Sequence, residues 1–388
     1  MCFYLTLYYM TKKYPWQNDS SGWRTIKKDI TPGKPLNFFL NSFALGKSDY
    51  QVTAQVFDGE DCVSKTASNF LLYYPGFGAA FWYHHLGKLF AEHSICLVGV
   101  EIPNWGCSRT KGLGYNNVYD ELVMLVKESH DAITEQLVAE RKFDPEFEPE
   151  FYVMGNSTLG LVHTLLAKEN LYRERPSGVI LDHAMIFPKN DLLFVSNTMM
   201  SLAPLISPYK LFRDFATLQR ELPFTSDIVV ASDSSAMIEN FHAYMEKKDG
   251  GTLTQEETNW LFEYPYIMGQ HDDGFGIVQE RIVLAGKPVY LGFVMAVNDT
   301  LCRLHSNTNT SNTPVLAIYS DETIKKDPHV NIKDSVSFIE STFKNAKILS
   351  APTYEHEVLL SEKEIVEKVF HAIVEWITTA DPWKCRKK

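Results

Sequence analysis

Apolar and polar positions along the 388-residue chain alternate between two kinds of run. Short, nearly all-apolar runs occur at residues 69–74, 95–102, 151–154, 178–187 and 314–319, and the sheet is expected to continue at 346–351. Strands covered by helices on both faces read this way, because no side chain is left facing water. Between them lie stretches with helical spacing. One covers residues 81–92, with Trp82, His85, Leu86, Leu89 and Phe90 on the inward side, and a longer one covers about 118–141. Others follow Ser157 and span 290–304, and the last carries Ile365, Val366, Val369, Phe370, Ile373, Val374 and Ile377. The alternation predicts an α/β protein with a mostly parallel sheet flanked by helices. Residues 50–66 alternate apolar and polar on both sides of Asp58 and Gly59, which predicts an antiparallel hairpin. The alternation stops over 188–286, where helical pieces, an apolar run at 192–205 and a glycine-rich turn at 271–276 predict an inserted helical lid. The chain then divides into an N-terminal extension (1–49), a first core segment (50–187), the lid (188–286) and a second core segment (287–388).

Composition narrows the partners. An apolar share of 45% supports a full core, and a net charge of −11 argues against nucleic acid or an anionic membrane surface. The six cysteines have no ligand-like spacing, and Cys96 and Cys302 lie in apolar runs that read as core thiols. A reduced, cytoplasmic chain is the simpler expectation. The apolar start at residues 1–10 lacks a basic leader and a cleavage site, so it reads as an untidy translation start or an N-terminal strand. No apolar run reaches the roughly 18 residues a transmembrane helix needs. Nothing in the sequence sets the oligomeric state.

The chemistry centres on Phe151-Tyr152-Val153-Met154-Gly155-Asn156-Ser157-Thr158-Leu159-Gly160-Leu161. A buried strand runs into a helix with a serine at the corner, the arrangement of a nucleophile elbow, which lifts a hydroxyl clear of the sheet. The plainer alternative is a strand–helix junction with Ser157 as the helix N-cap. A serine nucleophile needs a base, a carboxylate to orient that base, and donors for the oxyanion. His356, between the last strand and the last helix, is the base candidate, with an ordinary surface histidine as its alternative. Asp327 and Asp321 both follow the 314–319 strand and compete for the acid. The oxyanion donors would be the backbone N–H groups of Thr158, next to the serine, and of Phe77, in the turn Pro75-Gly76-Phe77-Gly78. No metal-ligand cluster and no nucleotide-binding signature occurs, so no cofactor or metal is implied.

These blocks together resemble the α/β-hydrolase superfamily, and within it the serine aminopeptidase and lysophospholipase-like group that includes monoacylglycerol lipases. The likeness spans about residues 70–377 and rests on YYPGFGAAFWYHHLGKLF, VGVEIPNWGCSR, GNSTLGL, PVLAIYSD, DPHVNIK and EHEVLLS. It implies an α/β-hydrolase fold with Ser157 as nucleophile, His356 as base, and the Phe77 and Thr158 amides as oxyanion hole. It also favours Asp327 over Asp321 as the acid. Two positions depart from the family pattern: Pro75 stands where a histidine is usual, and Leu159 where a glycine is usual. The expected function is a serine hydrolase that cleaves a small acyl or lipid ester without a cofactor. The alternatives are a hydrolase-fold binding protein that has lost turnover, and an amidase or peptidase.

Overall fold

A computed structural model of the protein describes residues 22–30, 50–58, 67–76, 81, 83, 86–103, 121–140, 149–189, 291–306, 308–321, 327, 330–352, 357–360 and 363–379. Eight strands form one sheet: β1 (Trp23–Ile30), β2 (Tyr50–Phe57), β3 (Asn69–Tyr74), β4 (Ile95–Glu101), β5 (Glu150–Asn156), β6 (Gly178–Asp182), β7 (Val315–Ser320) and β8 (Ala346–Ala351). Their order across the sheet is β1-β2-β4-β3-β5-β6-β7-β8. β1 and β2 pair antiparallel, as do β2 and β4, and every pair from β4 to β8 is parallel. The parallel strands are linked through α1 (Leu86–Ala91), α2 (Glu121–Glu140), α3 (Ser157–Glu169), α4 (Leu291–Ser306) and α5 (Ile332–Thr342), and α6 (Lys363–Thr379) follows β8.

The apolar runs of β3 to β7 are buried for the reason their composition suggests, while β8, at the sheet edge, buries only Ala351. Successive residues of β3 enter opposite core layers. Phe70, Leu72 and Tyr74 join one, while Leu71 and Tyr73 join the other. The second layer is roofed by α6, whose Val366, Val369, Phe370, Ile373, Val374 and Ile377 are all buried, as their spacing predicts.

Two expected elements have other bounds than their pattern predicts, one expected core thiol is exposed, and one expected hairpin falls partly outside the described residues. The strand expected to pair with β2 within 50–66 has its second arm outside the described residues. β2 instead pairs over its whole length with β1, which lies in the stretch read as an extension. The helix expected over 81–92 begins only at Leu86, after a turn closed by the Leu86 N–H on the Tyr83 carbonyl (3.0 Å), and the Phe81 N–H donates to the Glu101 side chain (2.9 Å). The strand expected over 178–187 stops at Asp182, where His183 adopts a left-handed φ of 46°. Cys96 is buried as expected, but Cys302 is exposed on α4 rather than a core thiol, since it falls on the face of that helix turned from Ala296, Thr300 and Leu304. The expected lid beyond residue 189, the first ten residues and the loop carrying Gly106 to Arg109 lie outside the described residues. Among the described residues no helix is long and apolar enough to cross a membrane.

Candidate active site

β5 ends at Asn156 and α3 begins at Ser157, so the serine occupies the corner itself. Its φ is 49°, in the left-handed region. A side chain bearing a Cβ occupies that region at a cost of about 1–3 kcal/mol, and only where the surroundings impose it. Here the Met185 N–H donates to the Ser157 carbonyl (3.1 Å), and Asn156 Nδ2 donates to the Asp182 carbonyl (3.3 Å). Both bonds tie the corner to the chain leaving β6. The helix N-cap is Asn156, not Ser157, and it makes no side-chain cap hydrogen bond.

The turn is tight because two glycines let strand and helix touch. A Cβ on Gly155 would lie 2.9 Å from Gly160 N, and one on Gly160 would lie 2.8 Å from both Gly155 O and the Ala184 Cβ. Gly160 therefore supplies the close approach expected of a small residue at 159, while Leu159 turns fully buried into the core beneath. An expected outcome follows for this pair. Gly160→Ala forces backbone against backbone and should cost about 1–3 kcal/mol. Leu159→Ala should cost about 2–5 kcal/mol through a core cavity, so the glycine pattern cannot be restored without loss. Urea unfolding of both variants checks this, and two neutral substitutions would contradict it.

The turn after β3 lies directly on the corner. A Cβ on Gly76 would stand 2.3 Å from Asn156 Oδ1 and 3.3 Å from the Ser157 Cβ. Phe77, the next residue, lies outside the described residues. Beyond it, the chain is held again where the Phe81 N–H reaches the fully buried Glu101 carboxylate. Thr158, the other expected donor, is buried in the first turn of α3. Backbone N–H groups there lack intrahelical partners and carry the positive end of the helix dipole.

The two acid candidates differ in setting. Asp321 follows β7 directly, is partly exposed, and continues the ladder through its N–H to the Ala351 carbonyl (2.8 Å). Asp327 is only 3% exposed, and its Oδ1 accepts the Val330 N–H at 2.8 Å. Its turn is stitched to the chain after β6 by Lys189 Nζ on the Asp327 carbonyl, by a Pro188–Val330 bridge, and by the Asn331 N–H to the Phe187 carbonyl (2.8 Å). His356 lies outside the described residues, but its neighbours do not. Glu357 is buried and accepts from the hydroxyls of Tyr73 and Tyr83, and the Val358 N–H points at the Asp182 carboxylate (3.2 Å to Oδ2).

Sequence reasoning passed over a buried polar array at the ends of β6 and β7. His183 Nδ1 lies 2.8 Å from Asp182 Oδ1, and His183 Nε2 lies 2.6 Å from Ser320 Oγ. The composition is that of a catalytic triad, but the Ser320 N–H already donates to Nε2 (2.8 Å). That leaves Nε2 no lone pair with which to take a hydroxyl proton, and it assigns the other proton to Nδ1, facing Asp182. With His183 and Asp182 fully buried, the array braces strand ends. The signal was present in the sequence as an Asp-His pair inside an otherwise apolar run.

A second buried group lies beneath the corner. His163 of α3 bonds the Tyr172 hydroxyl (2.7 Å) and packs on the Tyr74 ring (4.3 Å), and His130 of α2 lies 3.4 Å from the Tyr74 hydroxyl. Burial lowers the His130 pKa to about 4 and pushes His163 well below its ordinary value. Both rings are therefore neutral packing elements at neutral pH.

No protein-family model matches this chain, and no curated protein sequence matches it either. Solved structures do match. A soluble variant of monoglyceride lipase from Saccharomyces cerevisiae, in complex with a substrate analogue, is similar with a TM-score of 0.57 at 12% identity, over 94% of this chain and 99% of that one. A lipase in its open form gives 0.57 at 14% identity, over 92% and 98%. A thermostable carboxyl esterase from Bacillus coagulans, in complex with glycerol, gives 0.52 at 12%, over 93% and 99%. At such identities the likeness is one of architecture, and with the strand order it defines the α/β-hydrolase fold.

Proposed function

We propose that this protein is a serine hydrolase that cleaves carboxylic esters of small acyl or lipid substrates through an acyl-enzyme on Ser157. The left-handed backbone at Ser157, backed by the Gly155–Gly160 contact and faced by Gly76, is the observation that carries this reading. An N-cap serine needs no such strain, whereas a nucleophile lifted off the sheet does. The lipases and the esterase among the similar structures agree with it.

In this reading His356 takes the Ser157 proton as Oγ attacks the acyl carbon. The oxyanion that forms meets the N–H groups of Phe77 and Thr158. His356 then gives its proton to the departing alcohol, and later takes one from the water that releases the acid. Asp327 orients the imidazole and stabilises its charged form. Its burial and its backbone donor favour it over Asp321, because a carboxylate that must hold one ring geometry works best when it is itself held. Asp327→Asn should lower kcat by about 10⁴-fold, through loss of the charge and of the right tautomer, with Asp321→Asn near wild type. The reverse ranking in ester hydrolysis would move the role to Asp321.

The substrate follows from the apolar run at 192–205, read as a wall for an acyl chain. Medium and long acyl p-nitrophenyl esters should exceed acetyl esters in kcat/KM. A preference for acetyl esters or for aminoacyl amides would overturn the lipid-ester assignment.

A further inference from the structure

The residue that follows the proposed base is anchored in an unusual way. Glu357 is 9% exposed, and a single oxygen of its carboxylate, Oε1, accepts the hydroxyls of both Tyr73 and Tyr83. The two rings meet edge to face, with centroids 5.0 Å apart. The Tyr73 hydroxyl remains a donor, since burial and then the Glu357 charge push its pKa well above the ordinary value. Tyr73 lies on β3 just before the Gly76 turn, and Tyr83 lies just after it. One carboxylate oxygen thus grips both flanks of the turn that carries the proposed oxyanion donor. The next residue, Val358, is held separately by the Asp182 carboxylate, which the His183–Ser320 array braces.

We propose that Glu357 is a positioning residue for His356, tying the residue next to it to both flanks of the Gly76 turn. The inference rests on the reading of His356 as the base. Stability alone does not call for this arrangement, because desolvating a carboxylate is costly and an apolar side chain of similar volume fills such a site at least as well. What two charge-assisted bonds add is a defined placement of the adjoining residue. Placement matters here, because a displacement of about 1 Å in a reacting group costs about 10²-fold in rate.

The double substitution Tyr73→Phe and Tyr83→Phe keeps both rings in the core and removes both donors. In the full chain it should lower kcat for ester hydrolysis by about 10²-fold with KM unchanged. It should also raise amide hydrogen exchange in a peptide covering 352–360 by about tenfold, while exchange in α6 stays as it was. A loss of stability alone would accelerate α6 as well and would leave kcat of the folded fraction intact. Unchanged exchange at 352–360 would overturn the proposal whether or not the chain hydrolyses an ester, and so would faster exchange there with wild-type kcat. If the wild-type protein hydrolyses no ester, it is the hydrolase reading that fails, and the exchange result still decides whether Glu357 holds the loop.

Discussion

Ser157→Ala is expected to lower ester hydrolysis by about 10⁵- to 10⁶-fold. The loss should be in kcat, because in the proposed mechanism the hydroxyl is the attacking group and contributes little to substrate binding. The fold should survive. Alanine at a φ of 49° is as strained as serine, and the bonds that impose that conformation come from Met185 N–H and Asn156 Nδ2, neither of which uses the serine side chain. Thermal unfolding of the variant should therefore match wild type. A folded variant with undiminished hydrolysis would remove Ser157 from the mechanism.

The second large effect concerns the base. His356→Ala should remove nearly all turnover, and wild-type kcat/KM should fall on the acid side as the imidazole gains a proton and can no longer accept one. A second acid effect must be separated from the first. His130 and His163 are held neutral in the fold, with the His130 pKa lowered by burial to about 4. The unfolded chain binds protons on these residues from about pH 6.5 downward while the folded chain does not. Stability from this source is therefore complete above about pH 6.5 and is lost as pH falls toward 4, by on the order of 3 kcal/mol for His130 alone. Substituting His130 with an apolar residue of similar size should flatten the stability profile and leave the acid limb of kcat/KM in place. Activity retained by His356→Ala, or an acid limb that vanishes with His130, would contradict the assignment.

The parts of this fold that were legible in the sequence are those written in local pattern. Five apolar runs mark β3 to β7, because strands buried on both faces leave no polar register to confuse with a helix, whereas β8, at the sheet edge, is mostly half-buried or exposed. The elbow could be read from one turn of glycines and a serine. β1 was hidden because only Ile26 and Ile30 of its eight residues are buried, and its edge position lets Arg24, Lys27 and Lys28 dilute the alternation. The bracing of the site was hidden for a different reason. Glu357 meets Tyr73 and Tyr83 across separations of 284 and 274 residues, and no spacing rule connects such positions. Leu159 shows the converse. The motif places a small residue there, but the contact that requires smallness is made by Gly160.

The most direct test of the account is reaction of the wild-type protein with a fluorophosphonate, followed by mass spectrometry of the labelled peptides. The reagent requires a serine activated by a base and beside an oxyanion site, and it does not depend on knowing the substrate. The account predicts one stoichiometric adduct on Ser157, abolished by prior denaturation. A folded protein left unlabelled, or an adduct on another serine with Ser157 unmodified, would contradict it.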